Sequence, residues 1–203
     1  MKKLDLKKQW KPLYDAKPSA VAAVEVPPLS YLMVDGEGDP NISESYAQAI
    51  EALYALSYTL KFAIKKGSRA IDYGVMPLEG LWWADDPHVF HQTDKSGWKW
   101  TAMIAQPEFI TQADVDAAID EVRRKKNPAA LDRVRFEKFF EGAAAQILYA
   151  GPYAAEGPAI QRMHEFIHHA GKQLRGKHHE IYLGDPRRTA PEKLKTILRQ
   201  PMG

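Results

Sequence analysis

Residues 178–186 have the sequence HHEIYLGDP, which indicates a short strand that ends at Gly184 and the Asp-Pro pair. Side chains alternate across a strand, so Ile181 and Leu183 share one face while Glu180 and Tyr182 share the other. The first face suits a hydrophobic core, and the second presents a carboxylate beside an aromatic hydroxyl. A Glu on a half-buried strand is commonly an ordinary solvent-exposed residue. Whether Glu180 belongs to a functional site therefore depends on the rest of the chain.

The segments before this strand follow a weak internal repeat. A strand, a turn with Gly and Pro, and a long amphipathic helix occur at 29–64 and again at 143–174. Each helix is followed by a strand, near residue 71 and at 178–183. Two such units joined into one sheet predict an α+β fold, in which an antiparallel sheet carries the helices on one face. The other face would be an open groove containing Glu180 and Tyr182, with Ile181 and Leu183 packed on the helices.

Apolar periodicity and capping residues predict four helices. The first follows Asn41 or Ser43 and closes near Gly67, and the second begins at Thr111 with a capping box that uses Asp in place of Glu. The third runs from about 158 to 174, and a second capping-box pattern at 189–192 predicts a short last helix at 192–199. Alternation predicts a strand at 98–106, and a hairpin of 134–140 with 143–150 around Glu141 and Gly142. Residues 84–97 are predicted to be a loop.

Composition limits the class of protein. The 203 residues suit one domain, which we place at 21–203 behind a polar N-terminal arm at 1–20 that either covers the domain or frays. The net charge of +2 favours neither a nucleic-acid nor a membrane partner. There is no cysteine, and no signal segment or membrane-spanning run is visible, so a cytoplasmic location is expected. The sequence does not define the oligomeric state.

Two stretches of the chain resemble a known family. The turn at 150–153 (AGPY) and the run at 180–186 (EIYLGDP) are similar to the GyrI-like small-molecule-binding domain, which includes effector-binding domains of multidrug-responsive regulators. The resemblance covers roughly 24–200 and implies a duplicated strand-helix-strand-strand (SHS2) fold. Residues 77–83 and the basic tail 185–196 look like a stand-alone subgroup, some members of which are hydrolases that open the cyclopropane ring of DNA-alkylating natural products.

The resemblance also implies a site. In the family, a Glu at the position of Glu180 lies at the centre of an aromatic-lined pocket, with Tyr182 beside it. The catalytic candidates are Glu180, Tyr182 and Tyr149. Glu79 is either a second pocket carboxylate or a loop residue. The full set of candidate ligand-binding residues is Glu180, Trp82, Trp83, Tyr149, Tyr153 and Glu79.

Two functions use the same residues. The first is a stand-alone binder of flat hydrophobic or cationic small molecules, as in detoxification, because a carboxylate among aromatic rings attracts cations. The second is a hydrolase in which Glu180 positions water, which needs neither a metal nor another cofactor. A ligand-sensing DNA-binding regulator is disfavoured by the charge balance and by the lack of a visible DNA-binding segment.

Residues 164–168 (HEFIH) match the H-E-x-x-H pattern of zinc proteases. The position of the third metzincin His holds Leu174. The helical period places the motif on the flank and solvent side, away from the stripe of Met163 and Ile167, whereas a catalytic zinc needs its ligands to face a cleft. A metal site is therefore not expected, and His178 and His179 are interpreted as surface or polar-core residues.

Overall fold

The computed structural model describes residues 2–85 and 95–203, so most of the predicted loop lies outside the described residues. The main elements, in chain order, are β1 (Lys2–Leu4), α1 (Leu6–Gln9), α2 (Lys11–Tyr14), β2 (Ala22–Val26), β3 (Leu29–Glu37), α3 (Glu44–Lys66), β4 (Ile71–Tyr73), β5 (Leu78–Trp83), β6 (Lys99–Gln106), α4 (Gln112–Lys125), β7 (Arg135–Phe139), β8 (Gly142–Ala150), α5 (Gly157–His169), β9 (His178–Tyr182) and β10 (Lys195–Pro201). In the part of the chain that is described, no helix is both long and apolar enough to cross a bilayer.

The chain divides into two compact units. The first consists of Met1–Gln9, Leu29–Met76 and Trp83–Phe139, and the second of Trp10–Pro28, Pro77–Trp82 and Phe140–Gly203. Each unit contains an antiparallel sheet with its long helix packed on one face, and each contains the predicted strand-helix-strand order, β3-α3-β4 and β8-α5-β9. The α+β fold class is therefore confirmed.

In the first unit, β3 pairs with β6 on one side and with β7 on the other, both antiparallel. The helix α3 begins as predicted after Ser43, whose hydroxyl accepts a hydrogen bond from the backbone N–H of Tyr46. It packs on β6, where the ring of Tyr46 meets Trp100 edge to face with 4.9 Å between centroids. The predicted capping box at Thr111 begins α4, which packs against α3. The short β4 pairs in parallel with β1.

In the second unit, the strand order is β2-β8-β10-β9-β5, with every pair antiparallel. The helix α5 packs Met163 and Ile167 against one face of this sheet, which we call the helix face. The buried residues of that core are Ala145, Ile147, Met163, Ile167, Leu198 and Met202. On the opposite face, the arm face, lie residues 10–16 of the predicted N-terminal arm, whose Trp10, Leu13, Tyr14 and Ala16 are buried.

The predicted hairpin around Glu141 and Gly142 is wrong. Instead, β7 pairs with β3 in the first unit, and β8 pairs with β2 and β10 in the second. The connection has the sequence of a tight turn, and Gly142 does take a left-handed φ of 74°. However, Glu141 is buried, because its carboxylate pairs with His179 and Arg199 inside the second unit.

The predicted last helix at 192–199 is also wrong. The capping pattern gives only a single 3-10 turn at Pro191–Lys193, after which β10 runs between β8 and β9. Thr196, Ile197 and Leu198 are all fully buried. Successive buried positions fit a strand covered on both faces better than a surface helix with one apolar stripe. The helix α5 ends at His169 rather than at Leu174, and Gly171 beyond it has a left-handed φ of 71°.

The burial of β10 can be tested by cavity formation. Leu198 is fully buried against α5, so Leu198→Ala should lower the free energy of unfolding by about 2–5 kcal/mol. Leu174, which is 40% exposed, is the matched control, and Leu174→Ala should lower it by less than about 1 kcal/mol. Urea denaturation monitored by circular dichroism measures both values, and equal losses would contradict the strand assignment.

Candidate functional site

The orientation of β9 differs from the predicted one. Residues directly opposite each other in an antiparallel pair lie on the same face, and Glu180 is opposite Leu198, which packs on α5. Glu180 therefore lies on the helix face. Ile181 is fully buried but points to the arm face, not to the helix, so that part of the prediction is wrong. The alternation itself is confirmed, because Tyr182 shares the face of Glu180.

The side chains of Glu180, Tyr182 and Trp82 form a hydrogen-bonded chain on the helix face. The Tyr182 hydroxyl donates to Oε2 of Glu180 at 2.8 Å and accepts from Nε1 of Trp82 at 3.0 Å. Nε2 of His178 lies 3.5 Å from the other carboxylate oxygen, Oε1. The side chain of Glu180 is 14% exposed. The carboxylate is therefore held in one orientation while part of it still reaches the surface.

The close approach of Trp82 depends on a glycine. Gly80 is the residue of β5 opposite Glu180, and a Cβ at this position would lie 2.7 Å from Nε1 of Trp82. Any other residue would push the indole away from Tyr182. Trp82 itself is 3% exposed, so its ring is a fixed wall of the site rather than a mobile surface group.

Tyr153 adds a third aromatic ring to those of Tyr182 and Trp82. Its ring meets Tyr182 edge to face, with 5.6 Å between centroids and 76° between planes. Burial, followed by the negative charges of Glu156, Glu180 and Asp185, raises the pKa of the Tyr153 hydroxyl to about 12. The phenol is therefore neutral at physiological pH and lies in a negative field.

The other predicted site residues lie elsewhere. Tyr149 is on the helix face, but its hydroxyl donates to the carbonyl oxygen of Pro152 at 3.1 Å. Strand alternation places Trp83 on the face of β5 opposite Trp82. Glu79 is fully buried on the arm face. The structure thus brings together Glu180, Tyr182, Trp82 and Tyr153.

A buried cluster of charges lies on the arm face, directly behind this site. The imidazole of His179 contacts Glu141 through Nδ1 at 2.9 Å and Glu79 through Nε2 at 2.9 Å. Nη1 of Arg199 contacts the same Glu141 at 3.2 Å, and the Tyr14 hydroxyl donates to Glu79 at 2.6 Å. Together these five residues form what we call the arm-face cluster.

The arm-face cluster determines the protonation states of His179 and Glu141. Burial alone would lower the pKa of His179, but the carboxylates of Glu141 and Glu79 outweigh it and raise the pKa to about 9. Burial would raise the pKa of Glu141, but His179 and Arg199 outweigh it and lower the pKa to about 2. At neutral pH, His179 is therefore an imidazolium and Glu141 a carboxylate.

Sequence reasoning missed this cluster because its members had other local interpretations. The local sequence predicts a turn at Glu141, the end of a helix at Arg199, and a surface or polar-core position for His179. The one available signal was that His179 alternates with Ile181 on the buried face of β9, where a charged residue requires a partner. In the zinc-protease pattern, Glu165 and His168 are exposed and Ile167 is buried, which confirms the predicted orientation of that helix.

The family model of the GyrI-like small molecule binding domain matches residues 20–201. The chain therefore belongs to the GyrI-like family and is a small-molecule-binding domain. A hydrolase from Listeria innocua is similar to it at 37% identity with a TM-score of 0.87, over 98% of this chain and 100% of that one. A second structure described as a Listeria innocua hydrolase is 38% identical with a TM-score of 0.90, and both chains are covered at 100%.

A third similar structure is an uncharacterized conserved protein from Listeria innocua, at 39% identity and a TM-score of 0.91, over 98% of this chain and 100% of that one. No curated protein matches the chain.

The arm-face cluster predicts a specific pH dependence of stability. The folded-state pKa of His179 is raised from 6.5 to about 9, so its contribution is complete below pH 6.5 and is lost as the pH rises through 9. The free energy of unfolding of the wild type should fall by roughly 3 kcal/mol over this interval. His179→Gln lacks this titration and should give a flatter curve, while His168→Gln, at an exposed position, should follow the wild type. Chemical denaturation at several pH values is the measurement, and a flat wild-type curve would contradict the assignment.

Proposed function

We propose that the protein is a hydrolase for flat, hydrophobic, electrophilic small molecules, with Glu180 as the general base. The observation that carries the proposal is the 2.8 Å hydrogen bond from the Tyr182 hydroxyl to a Glu180 carboxylate that remains 14% exposed. An ionised carboxylate held by a phenol keeps its second oxygen available to accept a proton from water. The names of the two similar Listeria innocua hydrolases support the reaction class.

The aromatic side chains suit a flat substrate. The indole of Trp82 donates to the hydroxyl of Tyr182, and the ring of Tyr153 packs edge to face on the ring of Tyr182. The partly exposed rings of Tyr182 and Tyr153 offer apolar surface to a planar molecule, and the buried indole of Trp82 holds Tyr182 in place. A substrate bound there would place its reactive carbon near the exposed edge of Glu180.

The proposed substrate class contains a cyclopropane conjugated to a dienone, as in DNA-alkylating natural products. Oε1 of Glu180 accepts a proton from water while the water oxygen forms a bond to the ring methylene. The cyclopropane carbon–carbon bond breaks, and its electron pair passes through the dienone to the carbonyl oxygen, which becomes a phenolate. Solvent protonates this oxygen and later takes the proton back from Glu180, while the Tyr182 hydroxyl holds the carboxylate in place through its bond to Oε2. The net change is the addition of one water, and the product no longer alkylates DNA.

Binding without turnover is the second candidate. It is favoured by the negative field of Glu156, Glu180 and Asp185 around Tyr153. A planar cation would gain from these carboxylates and from the aromatic faces, at roughly 0.5–2 kcal/mol for each cation–π contact. Such a ligand needs no water and no proton transfer.

The role of Glu180 can be tested by charge removal at constant shape. Glu180→Gln should lower kcat for a cyclopropane conjugated to a dienone by roughly 10²–10⁴-fold, with little change in KM, because only the proton transfer is lost. Glu165→Gln, at an exposed position on α5, is the matched control and should keep the wild-type rate. Product formation is followed by mass spectrometry.

The outcomes of this experiment separate the two candidates. A wild-type protein that gives no product but binds a planar cation such as acridine orange, with affinity lost in Glu180→Gln, supports binding alone. Hydrolysis at the wild-type rate by Glu180→Gln would overturn the proposed mechanism.

A pair of Tyr variants tests whether the Tyr182 hydroxyl positions Glu180. Tyr182→Phe keeps the ring but removes the hydroxyl that donates to Glu180, so kcat should fall by at least about 10-fold. Tyr149→Phe removes a hydroxyl that donates to Pro152, so the fall in kcat should be smaller. A larger effect of Tyr149→Phe would show that the Tyr182 hydroxyl does not position Glu180.

A further inference from the structure

The ring of His179 is held at both nitrogens by carboxylates, Glu141 at Nδ1 and Glu79 at Nε2. A carboxylate can only accept, so both nitrogens must carry a proton for both contacts to be hydrogen bonds. A neutral imidazole has one N–H and would turn a lone pair toward one of the carboxylates. The charged form of His179 is therefore required for the complete set of contacts, independently of any pKa value.

The contacts of His179 connect strands that are distant in sequence. The bond to Glu79 joins β9 to β5, and Glu141 in turn accepts from Arg199 of β10. Nε of Arg199 also donates to Gln146 of β8 at 3.1 Å. All these side chains are buried. The arm-face cluster thus fixes four neighbouring strands against one another.

Two of these strands also carry the candidate site on their other face. His179 immediately precedes Glu180 in β9, and β5 contributes both Glu79 and Trp82. The strands β5 and β9 are therefore cross-linked twice by side chains, from Glu79 to His179 on the arm face and from Trp82 to Tyr182 on the helix face. A shift of β9 against β5 would change both links together.

We infer that His179 is a positioning residue for the Glu180 site: its imidazolium, held between Glu79 and Glu141, fixes β9 against β5 so that the Tyr182 hydroxyl stays between the Trp82 indole and the Glu180 carboxylate. His179 is buried on the arm face of the sheet, so it does not contact a substrate bound on the helix face. Its importance for turnover rests on the proposed function, whereas its effect on the Trp82–Tyr182 link does not. The raised pKa of His179 supports the inference, since it keeps the imidazolium charged at neutral pH.

The charged and titratable groups around His179 define what a pH change does. Glu79 faces it from β5, Glu141 from the turn before β8, Arg199 from β10 and Tyr14 from α2 through Glu79. Loss of the proton from His179 removes one of its two hydrogen bonds and leaves the cluster with one excess negative charge. The link between β5 and β9 on the arm face is then weakened or broken.

The test follows the Trp82 indole N–H in the ligand-free full-length chain by ¹H–¹⁵N NMR, with Trp82→Phe to assign the resonance. In the wild type, this resonance should shift between about pH 7 and pH 10, with the same midpoint as the His179 ring nitrogens. In His179→Gln it should be displaced already at neutral pH and should not show this titration. His168→Gln, at an exposed position of α5, should reproduce the wild-type titration.

A Trp82 resonance that does not move while His179 titrates would overturn the inference, as would a wild-type resonance in folded His179→Gln. If His179→Gln does not fold, the titration of the Trp82 resonance in the wild type alone supports or overturns the inference. With the dienone cyclopropane as substrate, kcat of the wild type should fall with the midpoint of the Trp82 shift, while KM changes less. Absence of turnover in the wild type would count against the proposed function only, because the NMR titration needs no substrate.

Discussion

The second unit depends on the burial of one positive imidazole between two carboxylates. His179, Glu79 and Glu141 are all removed from water, and burying any of their charges alone would be unfavourable by several kcal/mol. With Arg199 the set contains two positive and two negative charges, so it can be buried as a neutral group. Because its members come from β5, the turn before β8, β9 and β10, the sheet has to be assembled before any of them is satisfied.

This cluster also explains which face of β9 carries the site. Alternation gives a strand two faces, and the arm face of β9 is filled by His179 and Ile181 under residues 10–16. Only the helix face is left for a carboxylate that reaches the surface. Glu180 and Tyr182 occupy it, and Gly80, opposite Glu180, leaves room for the indole of Trp82. The site and the cluster therefore share two strands and are separated only by the thickness of the sheet.

Membership of the GyrI-like family fixes the fold and the ability to bind small molecules, but a fold can host several activities. The chemistry resides in the arrangement of a few side chains. In this protein, a phenol donates to a carboxylate and accepts from an indole, which orients the proton of Tyr182 toward Glu180. That orientation leaves Oε1 of Glu180 as the oxygen that would accept the proton from water in the proposed hydrolysis.

The sequence by itself determined features that depend on neighbours along the chain. These are the helix after Asn41 or Ser43, the helix after Thr111, the strand predicted at 98–106, and the alternation that places Glu180 and Tyr182 on one face. Periodicity shows which side chains share a face, but it does not show what packs against that face. Only the tertiary structure decided that Glu180 lies on the helix face, that residues 195–201 form a central strand, and that Glu141 is buried. The physical reason is that these features depend on partners far away in the chain, since His179 is separated from Glu141 by 38 positions and from Glu79 by 100. Buried charges and sheet partners become recognisable only when the chain has brought such residues together.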